Sequence, residues 1–418
     1  MEGVVTSTVI NERLAIMGFE DLINCAINFL NNNQFAEGGY PPRSNTDSFP
    51  SVTTTALICI MRKRLDNYHF DKTLINKDFE FIIKNFDNSI SSWKIFGNEI
   101  PSPWTNAFCV WALSINNLFE LECVENAVQT LLSWQNEGGW GVASTSKPEI
   151  IVTYMVVVAL ILFNLKKDKY YTVIKEKLKH SYDYFSKCLD EGGVETLNLT
   201  DCILAFQGIN LINKYLDSQN QKRLKRNRIS RIRERVAQRT SDIISCNDHI
   251  KPTTIKFSIK SGEWAINHFH PGVLHILSKY NQNPYDLFKI MQWFKENYNQ
   301  ISDSEGYWSH FANNENIYTT ALSIIALYEF AKNPLYFDQL KIKTQNMEKD
   351  LLRINEENIA LKAGMLSYIK LSIKNGIKYI WGYILFILAL LGALGGIDMF
   401  LERYYNTSIF NILSKLGL

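Results

Sequence analysis

The sequence predicts an all-α fold of repeated helix pairs, followed by a helical stalk and one membrane-spanning helix. Three observations predict it. A Gly-Gly-aromatic turn recurs along the chain, each time ahead of a helix start rich in Thr or Asn. Apolar residues over positions 1–330 follow a helical period, with no run of strand-like alternation. Residues 379–397 form an uncharged apolar stretch of 19 residues.

The clearest turn is Trp134-Gln135-Asn136-Glu137-Gly138-Gly139-Trp140-Gly141, ahead of the apolar run 150–163. Gln34 to Tyr40 precedes Val52-Thr53-Thr54-Thr55-Ala56, and Asp190-Glu191-Gly192-Gly193 precedes Leu199-Thr200-Asp201. Gly262-Glu263-Trp264 stands before His270-Pro271-Gly272, and Glu305-Gly306-Tyr307-Trp308 before Tyr318-Thr319-Thr320-Ala321. A degenerate copy, Ser92-Trp93, precedes Thr105-Asn106-Ala107. Self-similarity at about 45–70 residues marks a repeat fold. Gly-Gly permits the positive φ of a chain reversal, and Thr or Asn can satisfy the free N–H groups of the next helix.

In order, residues 21–30 and 52–62 make the first outer and inner helices, the second running into a basic, turn-like segment at 62–67. The next pairs are 79–86 with 106–118, 124–134 with 151–163, and 171–188 with 200–211. In the fifth pair, residues 221–239 read as an amphipathic helix with a cationic face of Arg223, Arg226, Arg228, Arg231 and Arg235. That face is either a solvated outer surface or a contact for anionic lipid or a phosphate-bearing ligand. No nucleic-acid motif accompanies it, and a net charge of +2 gives no general attraction to nucleic acid.

The repeat domain spans 1–330 and the stalk 331–378. Leu340, Thr344, Met347, Leu351, Ile354, Asn358, Leu361, Met365 and Tyr368 follow a heptad seam, which predicts a homo-oligomer. An amphipathic helix packed on the repeat domain is the alternative. Residues 379–397, at about 1.5 Å each, nearly match a hydrocarbon core of about 30 Å. Tyr379, Trp381 and Tyr383 lie at one end of this span and Tyr404 and Tyr405 beyond the other. Lys370, Lys374 and Lys378 outnumber Arg403 and Lys415, placing the large domain on the cytoplasmic side of a single-pass protein, with a bacterial inner membrane as the expected location. The tail is 398–418.

At 418 residues, 46% hydrophobic and 13% aromatic, the chain has the means for a large core and is not a disordered protein. Its seven cysteines are scattered without a Cys-x-x-Cys and read as buried free thiols. No basic-then-apolar leader opens the chain, so no signal peptide is expected.

The turn motif resembles the QW repeats of the terpene cyclase and protein prenyltransferase superfamily over about residues 20–330. This resemblance implies an α/α toroid of about six helix pairs. Class II cyclases of that superfamily protonate an alkene with an Asp-rich sequence ending in Thr-Ala. Here Ser51 to Ala56 and Asn316 to Ala321 keep the Thr-Ala but carry no carboxylate, and Thr54 and Thr319 stand at the acid position. The prenyltransferase zinc site resembles Tyr318-Thr319-Thr320 only without its histidine, and Asp201-Cys202 lacks the family's one-residue spacer. Cys246, His249, His268 and His270 have weak spacing for zinc. No catalytic residue, metal or cofactor is therefore expected.

In the implied toroid the inner-helix starts surround the central pocket. This places Thr53, Thr54, Thr105, Asn106, Thr153, Tyr154, Asp201, His270, Tyr318 and Thr319 at its mouth, either orienting a ligand or capping helices. The leading expectation is a membrane-anchored, non-catalytic receptor or effector for a small-molecule or protein ligand. Its architecture is analogous to bacterial defence effectors that perturb membranes. An isoprenoid-metabolising enzyme using Asp201, Glu191 or Glu263 is the alternative, and an anchored scaffold the third.

Overall fold

The computed structural model describes residues 7–42, 49–65, 68–95, 100–190, 197, 199–218, 234–236, 238, 254–259, 262–267, 291–292, 294–308, 316–332, 353–354, 359, 362 and 364. The chain divides into two units, Met1–Leu340 and Lys341–Leu418. In the second unit the described residues are helical and exposed, Ile354 and Ile359 among them. The remaining heptad positions, the 379–397 span and the 398–418 tail lie outside the described residues.

The first unit is built mainly of helices. α1 (Ser7–Ile16) and α2 (Glu20–Asn32) lead into α3 (Val52–Arg64), α4 (Lys72–Lys84), α5 (Pro103–Ile115) and α6 (Glu122–Ser133). α7 (Ile150–Asn164), α8 (Tyr171–Asp190), α9 (Leu199–Ser218) and α10 (Ile317–Ala331) follow. α3, α5, α7 and α9 pack each on the next, and α10 packs back on α3, so the two ends of the described series meet. α4, α6 and α8 cover α3, α5 and α7 from outside.

This placement explains two kinds of pattern. α6 buries Val124, Ala127, Val128, Leu131 and Leu132, one stripe of an outer helix. α5 is buried at every residue from Pro103 to Ser114, because it is covered on all sides. Starts are set locally. Ser51 accepts from the Thr54 N–H at 3.3 Å and Asp71 from the Thr73 N–H at 2.7 Å, while Pro103 opens α5 with no N–H to satisfy.

Some expectations need correction. Helices α1 and the first turns of α4 were not expected, and α5 begins at Pro103 rather than at 106. The first unit also holds short antiparallel pairs. β1 (Phe86–Asp87), β2 (Ser92–Ile95) and β3 (Ile100–Pro101) form one sheet, β4 (Thr254–Ile259) pairs with β5 (Gly262–Asn267), and β6 (Tyr298–Ser302) with β7 (Glu305–Trp308). Gly262-Glu263-Trp264 thus belongs to a strand rather than to a helix-pair turn. In β6 and β7 the chain reverses next to the aromatic residues that end the turn, and extended backbone is the short way to do so.

The Gln of the turn motif stitches one repeat to the outer helix of the next. Gln34 Nε2 donates to the Leu74 carbonyl at 2.9 Å and to Asp78 Oδ1 at 2.8 Å. Gln135 Nε2 donates to the Lys177 carbonyl at 2.9 Å and to Ser181 Oγ at 3.1 Å. Gly38 and Gly138, with φ of 90° and 86°, press on the same outer helices; a Cβ on Gly38 would lie 2.3 Å from the Lys77 carbonyl oxygen.

Candidate functional site

The helix-start side chains have a shared task. Four turn aromatics have their backbone N–H held by an inner-helix side chain: Tyr40 by Thr55 at 3.0 Å, Trp93 by Asn106 at 3.3 Å, Trp140 by Thr153 at 2.9 Å and Trp308 by Thr320 at 3.1 Å. Each holder is the fourth residue of its helix. Thr55, Asn106 and Thr320 also donate to the carbonyl of the residue before their helix, each at 2.8 Å. The three indole N–H groups donate to carbonyls of the preceding outer segment, at Ile82, Leu131 and Phe294, each at 2.7 Å. The polar atoms of Asn106 and Thr153 hold the turns beside them.

The holders fix a common register for the inner helices. Counting from two residues before each holder, the positions spaced four, seven and eleven residues on share one helix face. In α3 these are Thr53, Leu57, Ile60 and Arg64, and in α5 Trp104, Phe108, Trp111 and Ile115. In α7 they are Ile151, Met155, Val158 and Leu162, and in α10 Tyr318, Leu322, Ile325 and Glu329. A contact between non-adjacent helices identifies this face as the interior: Phe108 of α5 meets Tyr318 of α10, ring centroids 6.1 Å apart. Within α5, Trp104 stacks edge-on against Phe108 at 5.0 Å on the same face. At the other end Arg64 lies over the Trp111 ring at 5.4 Å and pairs with Glu329 at 3.3 Å.

The faces of these four helices are thus mainly apolar and aromatic, with Arg64 and Glu329 as their charged pair. On these faces Thr53, Arg64, Ile115, Leu162, Leu322, Ile325 and Glu329 are partly exposed, and the others are buried. Tyr154 also belongs to α7. Burial pushes its phenol up, and the nearby Arg64 guanidinium pulls it part of the way back. Burial also pushes the Tyr318 phenol well up, so both phenols stay neutral.

Of the expected mouth residues, Thr53 and Tyr318 head inward faces, and Tyr154 lies within electrostatic reach of Arg64. Thr105 meets Thr53, hydroxyl to hydroxyl at 3.1 Å. Thr54 and Thr319 are buried, their N–H groups capped by Ser51 and Asn316. Asp201 is in the first turn of α9 beside Glu149, whose carboxyl is pushed up by burial and by Asp201. His270, Glu191, Arg223, Arg226, Arg228 and Arg231 lie outside the described residues, as do Cys246, His249 and His268; Arg235 is helical and exposed. Among the described residues no three His, Cys, Asp or Glu side chains group to hold a metal. None of the described single helices is long and apolar enough to cross a membrane; α7 and the following helical segment meet that test together but bend by 118°, and α7 is core.

Sequence reasoning missed Arg62, Asp78 and Arg64. The segment 62–67 reads as a basic turn, yet Arg62 is buried against Asp78 at 2.6 Å. The signal was available in α4, where Asp78 interrupts an apolar stripe with Leu74 and Ile82 at helical spacing. A lone acid on a buried stripe calls for a cation.

No protein-family model matches the chain, and no curated protein matches it. The structure is similar to that of the type II terpene cyclase MstE from Scytonema. For a variant of that enzyme in complex with geranylgeranyl dihydroxybenzoate, identity is 12%, the match covers 77% of this chain and 98% of that one, and the TM-score is 0.49. For a variant in complex with merosterolic acid A the corresponding values are 12%, 78%, 99% and 0.49. For the apo enzyme they are 11%, 77%, 98% and 0.46.

Proposed function

We propose that the repeat domain is a non-catalytic receptor that takes a largely apolar ligand in its interior. In this reading the 331–378 stalk associates copies of the chain and the 379–397 span anchors them in a membrane, with the domain on the cytoplasmic side. The observation that carries the reading is the inward face itself, which presents aromatic and aliphatic side chains at successive turns and, in α3, α5 and α10, no carboxylate at the helix start. The threonines at the resembled acid position are buried, with their N–H groups capped beside the turn holders. An effector that perturbs the membrane when the ligand binds is the form of this reading that uses every segment.

Native mass spectrometry of the full-length chain in mild detergent tests it. The expected result is an oligomer that retains a discrete small-molecule mass. A bare monomer would leave the anchored scaffold as the better account. A second reading, an enzyme acting on isoprenoid substrates, is favoured by one observation: the raised Glu149 carboxyl beside Asp201 has the character of a proton donor. In the same preparation, turnover of polyprenyl diphosphates that disappears in Asp201→Asn would replace the receptor with that enzyme.

A further inference from the structure

Arg64 belongs both to the inward face of α3 and to the seam between α3 and α10. It is the last residue of α3, and its Nη1 pairs with Glu329 of α10 at 3.3 Å, where the last described inner helix meets the first. Its guanidinium also covers Trp111 and lies near Tyr154.

Three donors here have no acceptor among the described residues: Arg64 Nε, Trp111 Nε1 and, further along α5, Ser114 Oγ. Trp111 is 9% exposed and Ser114 1%. A buried donor without an acceptor destabilises the state that contains it, so this corner is built for a group rich in acceptor oxygens. The faces leading to it, Leu162, Leu322 and Ile325, are apolar and partly open.

Glu329 has a second cation. Lys332 Nζ lies 3.7 Å from the same carboxylate oxygen and also donates to the Arg64 carbonyl at 3.3 Å. If Arg64 turns inward, Lys332 keeps Glu329 paired, and the exchange strands no charge. Glu329 and a ligand anion therefore compete for one guanidinium.

Resting on the receptor reading, we infer that the ligand carries an anionic head, a carboxylate or a phosphate monoester, on an apolar body. The head binds Arg64 and Trp111, draws Arg64 from Glu329, and loosens the seam between α3 and α10. Occupancy of the interior is thereby coupled to the α3–α10 seam.

The test uses the full-length chain in mild detergent with octanoate, octyl phosphate and octanol as probes, binding measured by calorimetry and seam opening by amide hydrogen exchange. At least one anion should bind about tenfold more tightly than octanol, and Arg64→Gln should remove that preference. Glu329→Gln, which keeps the guanidinium and removes its competitor, should bind the anion several-fold more tightly. Exchange over 317–331 should rise on anion binding in the natural chain. Equal binding of octanol and both anions overturns the inference and leaves an apolar receptor standing. Unchanged affinity in Glu329→Gln, or exchange over 317–331 that does not respond to the anion, overturns the coupling. Failure of all three probes to bind also overturns it, while the retained mass in native spectra still judges the receptor.

Discussion

Asp78→Ala is expected to cost the first unit about 3–5 kcal/mol of stability, read as a shift in the urea midpoint followed by circular dichroism. Asp78 is fully buried, and its carboxylate accepts from Arg62 Nη1 at 2.6 Å, from Gln34 Nε2 at 2.8 Å and from the Gly39 N–H at 3.0 Å. Burial pushes this carboxyl up, and those three donors, Arg62 foremost, pull against it. Arg62 in turn donates to Asn31 Oδ1 at 3.0 Å and to the Tyr40 hydroxyl at 2.6 Å. One carboxylate thus joins α2, the first turn, α3 and α4. Its removal leaves a guanidinium in the core with neutral partners alone, and that stranded charge sets the size of the loss.

The double variant Arg62→Met, Asp78→Leu should recover much of the loss, because an apolar pair of similar volume has no desolvation penalty. If Asp78→Ala shifted the midpoint no more than a surface change, about 0.5 kcal/mol, the network would have to be solvated in solution. If the double variant were no better than the single one, the hydrogen bonds to Gln34 and Gly39 would be the main source of stability rather than the ion pair.

The helix pairs were legible because their signals are local. Outer helices such as α6 carry one apolar stripe, and a Gly-Gly turn with an aromatic after it needs no distant partner to be recognised. The short β1–β3 strands were not legible, since each is a few residues long and is defined by its partner across the turn. The site divides in the same way. From sequence Thr53, Asn106, Thr153 and Tyr318 all read as mouth residues that either orient a ligand or serve the helix start, and the structure shows Asn106 and Thr153 holding the turn beside them. A hydroxyl or amide at a helix start serves either purpose, and only the position of the turn aromatic separates them. Arg64 could not be read as an interior residue, because its contacts with Trp111 and Glu329 span 47 and 265 positions of chain, the differences between their numbers.

Trp140→Ala is expected to cost about 3–5 kcal/mol, the range for truncating a large buried aromatic. Trp140 is fully buried in the turn between α6 and α7. Its backbone N–H is held by Thr153 at 2.9 Å and its indole N–H by the Leu131 carbonyl at 2.7 Å, so the ring spans outer and inner helix. Two milder changes divide the total. Trp140→Phe keeps most of the aromatic volume and removes the indole bond, for about 1–3 kcal/mol. Thr153→Val keeps the shape of the helix start and strips the backbone N–H of its acceptor, again for about 1–3 kcal/mol. These two sites share a partner, so the double change should depart from additivity. Trp93 and Trp308 make the same pair of bonds, to Asn106 and Ile82 and to Thr320 and Phe294. Comparable losses at Trp93, Trp140 and Trp308 would establish one repeated unit of stability around the ring. A much smaller loss at Trp308, in the strand ahead of α10, would mean that the contact of α10 with α3 is held by Arg64, Glu329 and Lys332 instead.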